Sequence, residues 1–247
     1  MSGHSKWAQI KHKKALTDAK KGKAFSKISR MITVAVKEKQ NRDSSTNSKL
    51  RTAIEKARAL GMPGENVERA MAKGLGEGKE GEGLEEVLYE AFGPEGTALL
   101  ISGITDSKNR TTAEIKHILS EHGGRMSEKG SVEWMFNHVA AFDFDAEDFP
   151  SIEEAELFLI DAGAEDISKD DSTLTAYVSP HSAEVFKKNL SAKSIKTKEE
   201  YFDYLPKNKI SLPDEETKQK VTVLIEALDD NDDVQEIYTN VDLYQEQ

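Results

Sequence analysis

Apolar positions recur with a helical period at the start of the chain. After Gly22, Phe25, Ile28, Ile32, Ala35 and Val36 follow one another at three- and four-residue steps, one stripe of an amphipathic helix. The polar stretch NRDSSTNS (41–48) ends it and offers Asn47 or Ser48 as N-cap for a second helix. That helix carries Leu50, Ala53, Ile54, Ala57 and Leu60, with Gly61 placed to stop it. MPGEN then reads as a turn into a short third helix, with Val67, Ala70 and Met71 leading to Gly74. Three short stripes with tight connections predict a small helical bundle.

From Leu84 the period changes. LYEAFG and TALLISGIT read as strands separated by the turn Gly93-Pro94-Glu95-Gly96. NRTTAEIKHILSEHGG is a helix with Ile115, Ile118 and Leu119 on one face and Gly123 ending it. SVEWMFNHVAAFDFD is strand-like, SIEEAELFLIDAGAE a helix, TLTAYVS a strand, SAEVFKKNL a helix and IKTKEEYFDYL a strand. Over residues 138–206 these elements are assigned to the strand-helix-strand-strand-helix-strand of a ferredoxin-like unit, a pattern that holds one strand more than the three named. A helix, TKQKVTVLIEALDD, and a strand, VQEIYTNVDL, complete the body. The fold class is α+β: an N-terminal helical bundle, then two small ferredoxin-like sheet-and-helix domains.

Charge divides the chain in the same place. The first thirty residues hold Lys6, Lys11, Lys13, Lys14, Lys20, Lys21, Lys23, Lys27 and Arg30 against the single carboxylate Asp18, a balance of +8. Residues 1–80 carry +11 and the remainder −22, which together make the net charge of −11. A basic head on an acidic body points to a polyanionic partner for the head, with the body repelled and the encounter thereby oriented. Without cysteine, a disulfide framework, a thiolate metal site and a cysteine nucleophile are excluded, and a reducing, cytoplasmic setting fits. No apolar run approaches the ~20 residues of a membrane span, and the N-terminus lacks the apolar core of a secretory signal. No membrane partner is expected.

Catalytic patterns fail on inspection. Gly76-Glu77-Gly78-Lys79-Glu80-Gly81 matches a dinucleotide fingerprint, but a helix precedes it and Glu77, Glu80, Glu82 and Glu85 would repel phosphates. His117 and His122 are five apart, off a common helix face. Asp229-Asp230-Asn231-Asp232-Asp233 begins like a calcium loop, yet Val234 stands at the turn-glycine position and Asn240 at that of the bidentate Glu. It reads better as the C-terminal turn of a helix. Ser131 lacks a nucleophile elbow. The expectation is a non-enzyme with no cofactor and no metal.

The candidate site is therefore electrostatic. Lys6, Lys11, His12, Lys13, Lys14, Lys20, Lys21, Lys23, Lys27 and Arg30 would neutralise phosphates and release counterions, giving sequence-independent affinity. Lys13, Lys20, Lys23, Lys27 and Arg30 would fall roughly on one side of a helix. Trp7 has two readings, stacking on an unpaired base or packing against the bundle. Lys in preference to Arg argues against bidentate reading of guanine edges. A second place is Asp106-Ser107-Lys108-Asn109-Arg110-Thr111, where a helix start and Arg110 could hold a phosphate, or Asn109 could simply cap the helix.

Specific segments also carry a resemblance. GHSKWAQIKHKKALTDAKKGKAFSK (3–27), MPGENVERAMAKGLG (62–76), YEAFGPEGTALLI (89–101), TDSKNRTTAEIKHILSEHGG (105–124), GSVEWMF (130–136) and DDVQEIYTNVDL (232–243) resemble the YebC family. That family comprises "probable transcriptional regulatory proteins" and includes the mitochondrial translational activator of cytochrome c oxidase subunit I. Departures are Ser48 for a usual Pro, Ala91 for a usual Gly, and Arg125-Met126-Ser127 in place of a more apolar turn. The resemblance implies a helical domain (1–76), a second domain (84–137 plus 207–247) and a third, ferredoxin-like domain (138–206) inserted into the second. It implies no enzyme activity and a role in gene expression. The partner is then nucleic acid: DNA for a transcriptional regulator, or rRNA or tRNA for a ribosome-associated translation factor. A monomer is the expected state.

Overall fold

The computed structural model describes residues 18–77, 83–193 and 195–241, with Asp18–Lys20 described by backbone alone. Three helices come first: α1 (Asp18–Lys39), α2 (Ser48–Ala59) and α3 (Gly64–Gly74). Helix α1 runs through Gly22 instead of starting after it. The interior glycine costs about 1 kcal/mol, which burial further along the same helix offsets. Asn47 caps α2, accepting from the Leu50 amide at 3.1 Å while its own amide donates to the Ala35 carbonyl at 2.8 Å, so one buried side chain ties α2 to α1. Ile28, Ile32, Ala35 and Val36 meet Leu50, Ala53, Ala57, Ala70 and Met71 in one core. Helices α1 and α3 touch at Gly74, where a Cβ would lie 2.6 Å from the Thr33 carbonyl oxygen.

The body follows as β1 (Glu85–Phe92), β2 (Ala98–Thr105), α4 (Lys108–Glu121), β3 (Arg125–Met126), β4 (Phe136–Asp145), α5 (Ile152–Ala162), β5 (Asp166–Asp170), β6 (Thr173–Val178), α6 (Ala183–Ala192), β7 (Glu199–Pro206), α7 (Glu215–Asp229) and β8 (Val234–Thr239). The strands form two antiparallel sheets of four, in the orders β3-β1-β2-β8 and β5-β6-β4-β7. In the first, Leu99 and Ile101 of β2 pack under α4 and α7 with Ile115, Leu119, Leu224 and Leu228. The alternate residues Ala98 and Leu100 pack on the other face with Val132, Phe136 and Tyr238. Burial on both faces is why TALLISGIT reads as an almost unbroken apolar run.

The second sheet has the ferredoxin-like order, with Phe142, Phe144, Leu174 and Ala176 covered by Leu159 of α5 and by Phe186 and Leu190 of α6. The first sheet reaches a similar two-helix cover from a different chain order, because it opens on the β1–β2 hairpin. Strand β5 (DISKD) carries no apolar alternation. It is an edge strand in which Ile167 alone packs against the core, and an exposed Lys169 suits an edge. SVEWMF is not continuous strand: Glu133–Met135 forms a 3₁₀ turn and β4 begins at Phe136.

On the sheet face opposite α5 and α6, Asp143 accepts from the Thr175 hydroxyl at 2.7 Å and from the Tyr201 hydroxyl at 3.4 Å. Burial pushes its carboxyl up from the ordinary 3.8 to about 6, outweighing the Thr175 hydrogen bond, with Glu199 adding to the rise. The folded state thus favours the neutral acid: this contribution is complete below about pH 3.8 and is lost as pH rises toward 6. Asp143→Asn is expected to stabilise the protein by about 1–2 kcal/mol at pH 8 and by nothing at pH 4. Urea melts at the two pH values measure this, and an equal effect at both would refute it.

Candidate nucleic-acid interface

Helix α1 has a second working face. Lys23, Lys27, Arg30, Val34 and Lys37 follow each other at helical steps on the side away from the bundle core. Each cation on that face reaches the body. Lys23 Nζ donates to the Asp230 carbonyl at 3.0 Å, and Lys27 Nζ to the Asp229 carbonyl at 2.6 Å and carboxylate at 3.2 Å. Arg30 donates to the carbonyls of Asp232 (2.8 Å) and Ile104 (3.2 Å) and pairs with the Asp233 carboxylate. Lys37 donates to the Leu84 carbonyl at 2.9 Å. Asp229 and Asp230 are the last residue and C-cap of α7, so Lys23 and Lys27 lie at the negative end of its dipole.

The loop Asp229–Asp233 is seated by β2. Gly103 lets it approach: a Cβ there would stand 2.7 Å from the Asp233 carbonyl oxygen, which accepts from the Ile104 amide at 2.8 Å. The Asp233 side chain is 3% exposed and takes Arg30, Arg110 (2.7 Å) and the Thr111 hydroxyl (2.5 Å). Burial alone would raise this carboxyl; the hydrogen bonds from Thr111, Arg110 and Arg30 outweigh it and hold it below the usual value. Arg110 also pairs with Asp106 at 2.9 Å. The result is a polar cleft of about 390 Å³ in which carboxylates outnumber cations.

Arg110, which in one of the two sequence readings could hold a phosphate at the start of α4, here pairs with Asp233. Asn109 is not the cap: Ser107 occupies that position without a side-chain capping bond, and Asn109 lies inside the helix. Of the other candidates, Lys21 is exposed near the start of α1. Lys20 lies on the helix with its side chain outside the description, and Lys6, Trp7, Lys11, His12, Lys13 and Lys14 lie outside the described residues. The sequence located the cations at 23, 27, 30 and 110 but not their partner, the acidic loop. Its charge density was the available signal. Among the described residues, no group of three or more His, Asp or Glu is arranged to hold a metal ion, and no helix is long and apolar enough to cross a membrane.

A second feature was not singled out from sequence. Glu90, 4% exposed, turns its carboxylate onto the amides of Gly130, Val132 (2.5 Å) and Glu133 (2.9 Å). Burial would raise this acid; the three amides and Lys129 hold it down. The clasped loop presents Trp134 at 64% exposure, its indole N–H donating to the Ser131 carbonyl at 3.0 Å. Glu90→Ala leaves buried amides unsatisfied and is expected to cost about 2–4 kcal/mol, with faster amide exchange at 130–133. A variant as stable as the parent would refute the clasp.

A helical unit ion-paired onto two four-stranded antiparallel sheets, in a chain whose first thirty residues carry a charge of +8, defines a class of α+β protein with a basic N-terminal segment. The chain belongs to the TACO1/YebC family. The model described as "TACO1/YebC protein N-terminal domain" matches residues 5–77, and that described as "TACO1/YebC second and third domain" matches 84–241. Relatives named "probable transcriptional regulatory protein" include one from Halothermothrix orenii, 45% identical over 98% of this chain and 96% of its own. Another, from Thermoanaerobacter pseudethanolicus, is 45% identical over 100% and 99%. The crystal structure of a conserved hypothetical protein, Aq1575 from Aquifex aeolicus, matches with a TM-score of 0.79 and 40% identity, covering 95% of this chain and 96% of that one.

Proposed function

We propose that this protein is a non-catalytic, cytoplasmic, nucleic-acid-binding regulator of gene expression that acts on DNA as a transcriptional regulator. The observation that carries the reading is the +8 charge of the first thirty residues on a chain of net −11. Lys6, Trp7, Lys11, His12, Lys13, Lys14, Lys20 and Lys21 make the grip, by neutralising phosphates. Lys23, Lys27 and Arg30 serve as the seat that holds the head on the body, where the acidic loop already takes their charge, and Arg110, itself on the body, shares Asp233 with Arg30. The names of the relatives support the regulatory role. A second reading, a translation factor on rRNA or tRNA, is favoured by the head's eight lysines to one arginine, a composition suited to backbone and shape. Crosslinking in cells, followed by sequencing of bound DNA and bound RNA, decides. Recovery concentrated at promoters is expected; recovery dominated by rRNA or tRNA would replace the first reading with the second.

A further inference from the structure

Head and body keep separate cores. Ile28, Ile32, Leu50, Ala53, Ala57 and Met71 cluster with head residues alone. The buried apolar residues of the two sheets cluster only with other body residues. Val34, buried on the outward face of α1, lies in none of these clusters. Domains that share no large apolar interface are free to move against each other.

Ion pairs join the two parts instead. To the pairs that Lys23, Lys27 and Arg30 make with the loop at 229–233, α2 adds three more. Lys49 pairs with Glu86 of β1 at 3.2 Å, Arg51 with Glu200 of β7 at 2.9 Å, and Lys56 with Glu236 of β8 at 3.6 Å. In each of these pairs the cation is on the head and the carboxylate on the body. The Thr52 hydroxyl also donates to the Glu200 carbonyl at 2.6 Å. The head therefore rests on both sheets at once. A single pass of chain after Glu77 connects it to the body, and Lys37 donates to the Leu84 carbonyl beside that connection.

The pairs differ in how salt reaches them. Lys23 and Asp230 are 49% and 73% exposed, and pairs as open as this are individually weak and readily screened. Lys27 and Asp229 are 11% and 19% exposed, and the Asp233 side chain is buried, so these inner pairs are screened less. They keep the head down at ordinary ionic strength. Between about 0.1 and 1 M salt the Debye length falls from about 10 to 3 Å. The attraction across the interface decays over that range, while burial of apolar surface within each part does not depend on charge.

We propose that the head is a latched unit, which lifts off the body as ionic strength rises while both parts stay folded. Lifting separates a basic surface from the acidic loop that neutralises it, so the latch decides whether either is presented to solvent. The chain's own charges close it, so this goes beyond the nucleic-acid reading and does not rest on it.

The chain has no cysteine, so spin labels on cysteines introduced at exposed Glu68 of α3 and exposed Glu121 of α4 report one distance between head and body. Pulsed electron paramagnetic resonance on the full chain is expected to give a single short distance at low salt. A second, longer one is expected to grow in toward about 1 M. Lys56→Glu sets a like charge against Glu236 and is expected to raise the open fraction about 5-fold at low salt. Adding Glu236→Lys to that variant restores the attraction and the closed distance. Amide exchange at Ile32 and Leu50 in the head and at Leu99 and Ile101 in the body is expected to stay slow throughout. One unchanged distance at every salt concentration and in Lys56→Glu overturns the latch. A longer distance that appears only with loss of amide protection in the head also overturns it, since the head would then be unfolding and not lifting.

Discussion

A chain lacking residues 1–21 is expected to fold and to lose most of its affinity for nucleic acid. What remains of α1 keeps Ile28, Ile32, Ala35 and Val36 in the helical core, and Lys23, Lys27, Arg30 and Lys37 on the body. The deletion removes Lys6, Lys11, Lys13, Lys14, Lys20 and Lys21. With roughly four to six of these neutralising phosphates, the slope of log K against log salt for duplex DNA flattens by about 4–5 units. Trp7→Ala leaves the slope alone and weakens binding to single-stranded or looped RNA more than to duplex. Fluorescence anisotropy across a salt series measures both. Full affinity with the original slope in the truncated protein would make the head a solvated tail and move binding to the body.

The second large effect is on stability. Asp233→Ala takes the common acceptor from Arg30, Arg110 and Thr111 at a position 3% exposed. Breaking a buried ion pair costs about 3–5 kcal/mol, and because both arginines keep some contact with water the loss is expected near 3. Asp233→Asn retains an acceptor and costs less. The sign of the pH dependence follows from a carboxyl held below its ordinary value: its contribution is present above about pH 3.8 and is lost as pH falls through the lower folded value. The gap between parent and Asp233→Asn in guanidinium melts is therefore widest at neutral pH and narrows below pH 4. A gap independent of pH would show that the charge of Asp233 contributes nothing. Asp143 runs the other way, its burial favouring the neutral acid, so the two variants separate a paired carboxylate from a desolvated one.

The apolar periods were enough to place most elements. The stripe Phe25 to Val36 lies on α1, and Ile115 and Leu119 face the core from α4. Asn47 is a cap and Gly61 has the left-handed φ of +70° expected past a helix end. These features are local, set by side-chain spacing and by which residues tolerate a given backbone angle. Where the local signal was weak the reading failed. DISKD has no alternation because an edge strand with one residue on the core needs none, and Asn109 was offered as a cap because Asn and Ser are both favoured there, while only the extended backbone at Ser107 fixes where the helix begins.

By itself the sequence determined the α+β class, the division into a basic head and an acidic body, and the cations at 23, 27, 30 and 110. Composition and period are properties of the chain that survive without a fold. Only the tertiary structure decided what those cations meet. Lys23, Lys27 and Arg30 find the loop at 229–233 some two hundred residues away, and Arg110 finds Asp233. A lysine stripe reads the same whether its anion is a phosphate or the chain's own carboxylate, because Coulomb attraction does not record which molecule supplies the charge.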